Sequence, residues 1–239
     1  MKAAGNLKIP TILIGNFTWY DIYSQFPEAK NETHLIQSLA EEYSHSTLQI
    51  LPQCHLDNKI IHHKKEVGFI ANKGKNMRND FVSFLGKKAE KKILVFIYLG
   101  EHGTRKVNLS NLRNNKDCLF LTRDPIKHPD VHFIDDKFSY HDLIASSDIT
   151  LTKGGYSTLA TSFANHKPVI TCERDDFYEF EAVREYLQKW QIGIIVKSTP
   201  FKQGDWQEPI KEALKLTVKN KVPLNGEIEI AKIVQQMLS

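Results

Sequence analysis

The sequence predicts an α/β protein: a Rossmann-like, doubly wound parallel sheet preceded by a fragment of a second α/β domain. Three observations predict it. From about residue 66 onward, short apolar runs alternate with amphipathic stretches, which requires crossover connections and therefore parallel strands covered on both faces. Two of those runs, 93–99 and 149–152, lead straight into glycine turns, as strand-to-helix connections do in such sheets. Residues 9–51 hold only two strand-like runs and one helical pattern, and a polar stretch rich in histidine and lysine, 52–65, separates them from the rest.

Taken in order, 11–15 reads as a short strand entering Asn16-Phe17-Thr18-Trp19. Leu35, Leu39 and Tyr43 fall at four-residue spacing and make 31–43 an amphipathic helix, and 47–51 reads as another strand. The boundary is placed near residue 65, giving 1–65 as a partial amino-terminal domain with its linker and 66–239 as the larger domain. Within the latter, strands are expected at 67–70, 93–99, 118–121, 131–134, 149–152, 169–172 and 193–196. Helices are expected at 77–85, somewhere in 106–114, at 140–146 and at 157–165, with a turn at 100–103. Ala182, Val183, Tyr186, Leu187 and Trp190 line one face of a further helix. Ile230, Ile233, Val234, Met237 and Leu238 form the stripe of a closing helix started by Asn225, whose role is packing.

Composition bounds the partners. Over 239 residues, 41% hydrophobic content is enough for a sizeable core. Thirty-two Lys and Arg against 28 Asp and Glu leave a charge of +4 with no long basic block, so nucleic acid is not the expected partner. The densest basic cluster, Lys87-Lys88 with Lys91-Lys92, flanks a helix end, where solvated lysines are ordinary. Cys54, Cys118 and Cys172 share no paired motif and read as free thiols of a reducing compartment. With no apolar run of membrane length and no signal-peptide core, the expected location is the cytoplasm. Cys54-His55 with His62-His63 matches no standard zinc spacing, so no metal is expected. Trp19, Trp190 and Trp206 read as core or interface anchors.

Ligands of open parallel sheets bind beyond the carboxyl ends of the strands, and two turns qualify there. Gly100 and Gly103 follow 93–99, while Gly154 and Gly155 follow 149–152 and precede Ser157 and Thr158. Neither matches G-x-G-x-x-G or G-x-x-x-x-G-K, which removes support for a dinucleotide enzyme and for a P-loop hydrolase. A Gly-Gly pair before a helix is either a tight turn or a place where opening amides receive a diphosphate. The second constellation is Arg174-Asp175-Asp176-Phe177-Tyr178-Glu179. Its carboxylates can cap the following helix or accept hydrogen bonds from sugar hydroxyls, and Arg174 can pair with them or reach a phosphate.

The run 147–168, followed by Arg174-Asp175-x-Phe177-x-Glu179 and Arg184, resembles the carboxyl-terminal half of GT-B glycosyltransferases. The nearest likeness is the glycosyltransferase-like domain of plant arabinokinases, with a more distant similarity to the N-acetylglucosaminyltransferase that makes lipid II. Ile9-Pro10-Thr11-Ile12-Leu13-Ile14-Gly15-Asn16-Phe17-Thr18-Trp19, with Ile22-Tyr23, resembles the Asn-Phe-(Ser/Thr)-Trp segment of that group. The likeness spans most of 5–196 and is densest over 147–187.

The resemblance implies transfer of a sugar from a nucleotide-diphosphate donor, UDP-linked, to an acceptor, with no metal or other cofactor. By position, Gly154, Gly155, Ser157 and Thr158 would face the diphosphate, and Gly100 and Gly103 would close on it from the other side. Phe133, Ile134 and Thr161 would meet the nucleoside, and Arg174, Asp175 and Glu179 the donor sugar. Asp21, the acid nearest the Asn-Phe-Thr-Trp turn, is the candidate base, with a helix or turn cap as its other reading.

Two departures stand out. Thr161 replaces the Glu that usually holds the ribose, and the chain begins just before the Asn-Phe-Thr-Trp segment, without the opening strands of the amino-terminal domain. The implied molecule is a truncated or split transferase served by an amino-terminal partner chain, or a homodimer joined through residues 1–60. The alternatives are an epimerase or hydrolase of the same fold, or a non-catalytic partner subunit or remnant.

Overall fold

A computed structural model describes residues 1–57, 59–86 and 89–238, without the side chains of Glu101 and His102. Lys87 and Lys88 of the basic cluster lie outside the described residues. The chain forms two compact units: Met1–Ile70, Asp175–Tyr186 and Pro223–Ser239 make the first, and Ala71–Arg174 with Leu187–Val222 the second.

The first unit is built on a parallel sheet of order β1-β2-β3, with β1 at Ile12–Ile14, β2 at Leu48–Pro52 and β3 at Lys64–Val67. Every residue of β2 is buried, as suits the middle strand of a parallel sheet. Helices α1 (Lys2–Asn6), α2 (Trp19–Tyr23), α3 (Thr33–Ser44) and α11 (Gly226–Leu238) accompany it. Ile230 and Ile233 of α11 pack with Ile12 on Leu48, Ile50 and Val67, so the tail stripe closes this first sheet. The fit is close at the start of α11. The Gly226 amide bonds to the Phe69 carbonyl, and a Cβ on Gly226 would lie 2.1 Å from the Gly68 oxygen.

This arrangement differs from the expected division, which put 66–239 in one domain: Asp175–Tyr186 belongs to the first unit. The strand read at 67–70 is Lys64–Val67 and belongs to the first sheet, and the closing helix joins the same unit. The reason is chemical: Lys64, Lys65 and Glu66 all face outward to some degree and only Val67 is buried. A polar edge strand of this kind carries no apolar run to announce it.

The second unit is a six-stranded parallel sheet of order β6-β5-β4-β7-β8-β9. Its strands are β4 (Ile93–Tyr98), β5 (Cys118–Thr122), β6 (Val131–Phe133), β7 (Ile149–Thr152), β8 (Val169–Cys172) and β9 (Gly193–Val196). The chain builds outward from β4 through β5 to β6, then returns to β7 on the other side of β4 and proceeds to β9. Strand order therefore reverses between β4 and β7, the place where open α/β sheets leave a crevice at the strand ends. Val95, Ile97, Leu151, Ile170 and Trp206 fill one face, and Phe96, Leu121, Phe81, Phe138 and Leu143 the other.

Helices α4 (Arg78–Leu85), α6 (Tyr140–Ser146), α7 (Tyr156–Ala164), α9 (Ser198–Gln203) and α10 (Gln207–Ala213) flank this sheet. Helix α8 (Glu179–Trp190) begins in the first unit and ends in the second. The turn expected at 100–103 is a short helix, α5 (Gly100–Thr104), and only a 3-10 turn, Leu112–Asn114, occupies the region expected to be helical. Asn108 folds its side-chain oxygen onto the Ser110 amide and Leu109 takes φ +53°, local bonding that competes with a helix.

Candidate functional site

At the carboxyl end of β7 the chain enters Lys153-Gly154-Gly155, then α7. Gly154 adopts φ +85°, open to glycine at little steric cost, and its amide donates to Thr152 Oγ1 at 3.3 Å. Among the described residues no side chain caps α7. The amides of Thr158 and Leu159 bond to the Gly155 carbonyl, while the Ser157 amide has no acceptor among the described residues and Ser157 is exposed. The positive end of this nine-residue helix is thus open to an anion.

Lys153 connects the two expected glycine turns. A Cβ on Gly100 would lie 3.5 Å from the Lys153 ammonium, and one on Gly155 would lie 3.7 Å from Lys153 Cε. The lysine therefore runs from the end of β7 past its own turn, with Cε nearest Gly155 and the exposed ammonium beside Gly100 at the start of α5. Sequence reasoning passes over Lys153. The signal available is a cation one residue past a strand end and directly before the Gly-Gly pair.

The Gly100 turn has another tenant. Asp124, just past β5, accepts hydrogen bonds from the amides of Leu99 and Gly100, the latter at 3.1 Å. The Gly100 amide of the turn expected to close on a phosphate is already taken by this carboxylate. Gly103 has a packing reason, because a Cβ there would fall 2.8 Å from Leu99 Cβ.

Asp124 is only 5% exposed, and burial raises its carboxyl above the usual range, with the two amides and Lys153 acting the other way. A raised value in the folded protein means that the stability contributed by this group is fully present below the ordinary carboxylate pKa, about 4. It is lost as pH rises through the folded value. We expect Asp124→Asn, which keeps an acceptor oxygen but cannot ionise, to abolish this decline; denaturant midpoints of both proteins across pH ~4 to ~7 measure it.

The other expected donor residues are distributed unevenly. Thr158 is buried and its hydroxyl accepts from Tyr140 Oη at 2.7 Å, with the Tyr140 ring packed edge-on to Tyr98 at the end of β4. Burial is the main cause of a raised Tyr140 phenol pKa, so it stays protonated and can keep donating. Thr161 is 4% exposed within α7, and Ile134 packs in the core with Phe96 and Leu121. Neither side chain reaches solvent to meet a nucleoside. Phe133, at the end of β6, is 59% exposed.

In the first unit, two segments far apart in sequence meet. Asn16, at the carboxyl end of β1, donates from Nδ2 to Glu179 Oε1 at 2.8 Å, and Phe17 packs edge-on to Phe177. Asp175 is exposed, and Arg174, half-buried, is the last residue of the second unit before the crossing. Asp21 is 7% exposed and forms a capping box: its Oδ2 accepts from the Thr18 amide and hydroxyl, and its amide returns a bond to Thr18 Oγ1. That is the cap reading; a carboxylate so engaged is not presented to an acceptor.

Among the described residues Cys54, Cys118 and Cys172 form no disulfide, and burial pushes the Cys54 thiol up to about 12. Among the described residues no group of three or more His, Cys, Asp or Glu side chains is arranged to hold a metal ion, and no helix is long and apolar enough to cross a membrane.

No protein-family model matches the chain. It is 23% identical over 239 residues to L-arabinokinase of Arabidopsis thaliana, covering 98% of this chain but only 23% of that protein. Among solved structures, it matches the glycotransferase of kitacinnamycin with a TM-score of 0.68 at 12% identity, covering 100% of this chain and 73% of that one. The calicheamicin glycosyltransferase matches with a TM-score of 0.62 at 12% identity, over 99% of this chain and 70% of its own. Arabidopsis thaliana UGT89C1 complexed with UDP matches with a TM-score of 0.57 at 10% identity, over 99% and 69%. With its parallel sheets flanked by helices, the chain has the fold of GT-B glycosyltransferases.

Proposed function

We propose that this chain binds a UDP-linked sugar and takes part in transfer of that sugar to an acceptor. The observation that carries the reading is the uncapped start of α7 at the reversal point of the sheet, with the exposed Lys153 side chain running past Gly155 to set its ammonium beside Gly100. A sugar transfer leaves negative charge on the departing diphosphate. The Ser157 amide and Lys153 would stabilise that charge as it develops, which lowers the barrier to breaking the anomeric carbon–oxygen bond. Phe133 offers an exposed ring for the base. The crystal complex of UGT89C1 with UDP supports the choice of nucleotide.

A second reading has its own support. Because Asp21 is committed to its cap, the acceptor base would come from an amino-terminal partner chain or a second copy, and the isolated chain would bind donor without transferring it. Calorimetric titration with UDP and UDP-sugars tests the first reading. We expect saturable binding and a melting temperature that rises with ligand concentration, as a ligand specific to the folded state requires. Absence of both for every nucleotide sugar tried would remove the reading.

A further inference from the structure

We propose that Tyr140 is a positioning residue: its phenol holds the Thr158 hydroxyl so that the hydroxyl's own proton is left for a diphosphate at the start of α7. This rests on the reading of that helix start as the donor site, and every residue it uses belongs to the second unit. Tyr140 Oη donates to Thr158 Oγ1 at 2.7 Å. A phenol is more acidic than an alcohol and is therefore the donor of such a pair, and burial keeps it protonated. One bond between two hydroxyls uses only one of their two protons. Among the described residues the Thr158 proton has no acceptor, and at 5% exposure little water reaches it. Thr158 is the third residue of α7, and helical side chains lean toward the N-terminus of their helix. Its hydroxyl thus lies over the first turn, where the Ser157 amide also lacks an acceptor.

Tyr140 is built to hold still. It opens α6, whose cap Ser139 accepts from the Asp142 amide at 3.1 Å, and the Asp142 carboxylate accepts from the Lys75 amide at 2.6 Å. Gly74 packs so closely on this helix start that a Cβ there would collide with the His141 carbonyl. The Tyr140 ring lies edge-on to Tyr98 at 4.8 Å and to Phe96 at 5.9 Å, which ties it to the carboxyl end of β4. A threonine without such a partner commonly turns its proton to the carbonyl three or four residues back, here Gly155 or Gly154. Neither bond forms in this fold. Loss of the phenol would free the hydroxyl to make one of them and withdraw its proton from the ligand.

The test uses the full chain with UDP and uridine as probes. Tyr140→Phe keeps the ring and removes only the phenol; we expect it to weaken UDP binding about fivefold and to leave uridine within about twofold. Thr158→Val removes the hydroxyl itself and should weaken UDP binding roughly tenfold. In Y140F/T158V the UDP affinity should match that of T158V, because the phenol acts only through the hydroxyl. Should Thr158→Val fail to fold, Thr158→Ala takes its place in the cycle. The proposal is overturned by wild-type UDP affinity in either single variant, or by equal losses for UDP and uridine in Y140F, which would mark a structural tie between α6 and α7. It is also overturned by a further loss on adding Y140F to T158V, which would put the phenol on the ligand. A wild type that binds no UDP removes the donor-site reading and this proposal with it, whereas UDP bound equally by wild type and Y140F removes the proposal alone.

Discussion

Lys153→Glu is expected to weaken UDP binding by roughly a hundredfold while leaving the melting temperature of the free protein unchanged. The side chain is exposed and packs into no core, so its replacement costs the fold little. Its worth lies in the field it creates. Two unit charges about 4 Å apart interact by about 1 kcal/mol in water and about 4 kcal/mol near a protein surface, and reversal turns that attraction into repulsion. An exposed cation sits toward the weaker end of this range, which is why we expect about two decades and not more. Lys153→Met should lose about tenfold and Lys153→Arg should retain binding, since a charge-assisted bond is worth about 1.5 kcal/mol or more. Raising ionic strength should narrow the gap between wild type and K153E, because the Debye length shrinks from about 8 Å at physiological salt to about 3 Å at ~1 M. Isothermal titration of the four proteins with UDP and with uridine separates the cases. A loss confined to UDP places Lys153 on the diphosphate, whereas equal losses for both ligands would mean that the substitution disturbs the whole site.

The two units differ in how much of them is legible in the sequence. Strands β7 and β8 fall where periodicity places them, because each is a fully buried four-residue run inside the sheet, and β9 does so through its apolar run although it lies at the edge. Strand β3 escapes notice because three of its four residues are charged and only Val67 is buried. Helices α9 and α10 also escape, the first being six residues long with Pro200 in its first turn, too short for a period to declare itself. For the candidate site, the Gly154-Gly155 turn and its helix are legible, since the glycine pair follows a buried strand and precedes a helical run. The contacts around it are not. Nothing in the sequence links Asp124 to Gly100, 24 residues away, or Asn16 to Glu179, 163 residues away; those pairings exist only once the folded chain brings the ends together. The same limit explains why Gly100 reads as a phosphate donor: its positive φ (+70°) is foreseeable from the turn, but the acceptor already holding its amide is not.

Trp206→Ala is expected to cost the fold about 3 to 5 kcal/mol, the range for deleting a large buried aromatic and more than any other substitution proposed for this chain. Trp206 is 0% exposed, the residue before α10, and the largest of the fully buried side chains. Its ring lies 5.7 Å from Phe120 of β5 and 5.7 Å from Phe201 of α9, in the cluster that includes Val95, Leu151 and Ile170 beneath the sheet. The indole N–H donates to the Phe201 carbonyl at 3.0 Å, so the polar edge of the ring is satisfied inside the core. Truncation therefore opens a cavity among β4, β5, β7 and β8 and removes one of the hydrogen bonds to the Phe201 carbonyl, which also accepts from the Gly204 amide. Trp206→Phe keeps most of the apolar volume and loses the hydrogen bond, for which about 1 to 2 kcal/mol is expected. Since a domain has about 5 to 15 kcal/mol to lose, the alanine variant should unfold at a much lower denaturant concentration and the phenylalanine variant only slightly earlier. The same experiment bears on the donor site. β4 and β7 carry Gly100 and Lys153 at their ends, so loosening the layer beneath them should weaken UDP binding in W206A even at temperatures where the protein is still folded. If W206A bound UDP with wild-type affinity, the geometry of the two glycine turns would not depend on the packing below, and the strand ends would have to draw their rigidity from elsewhere.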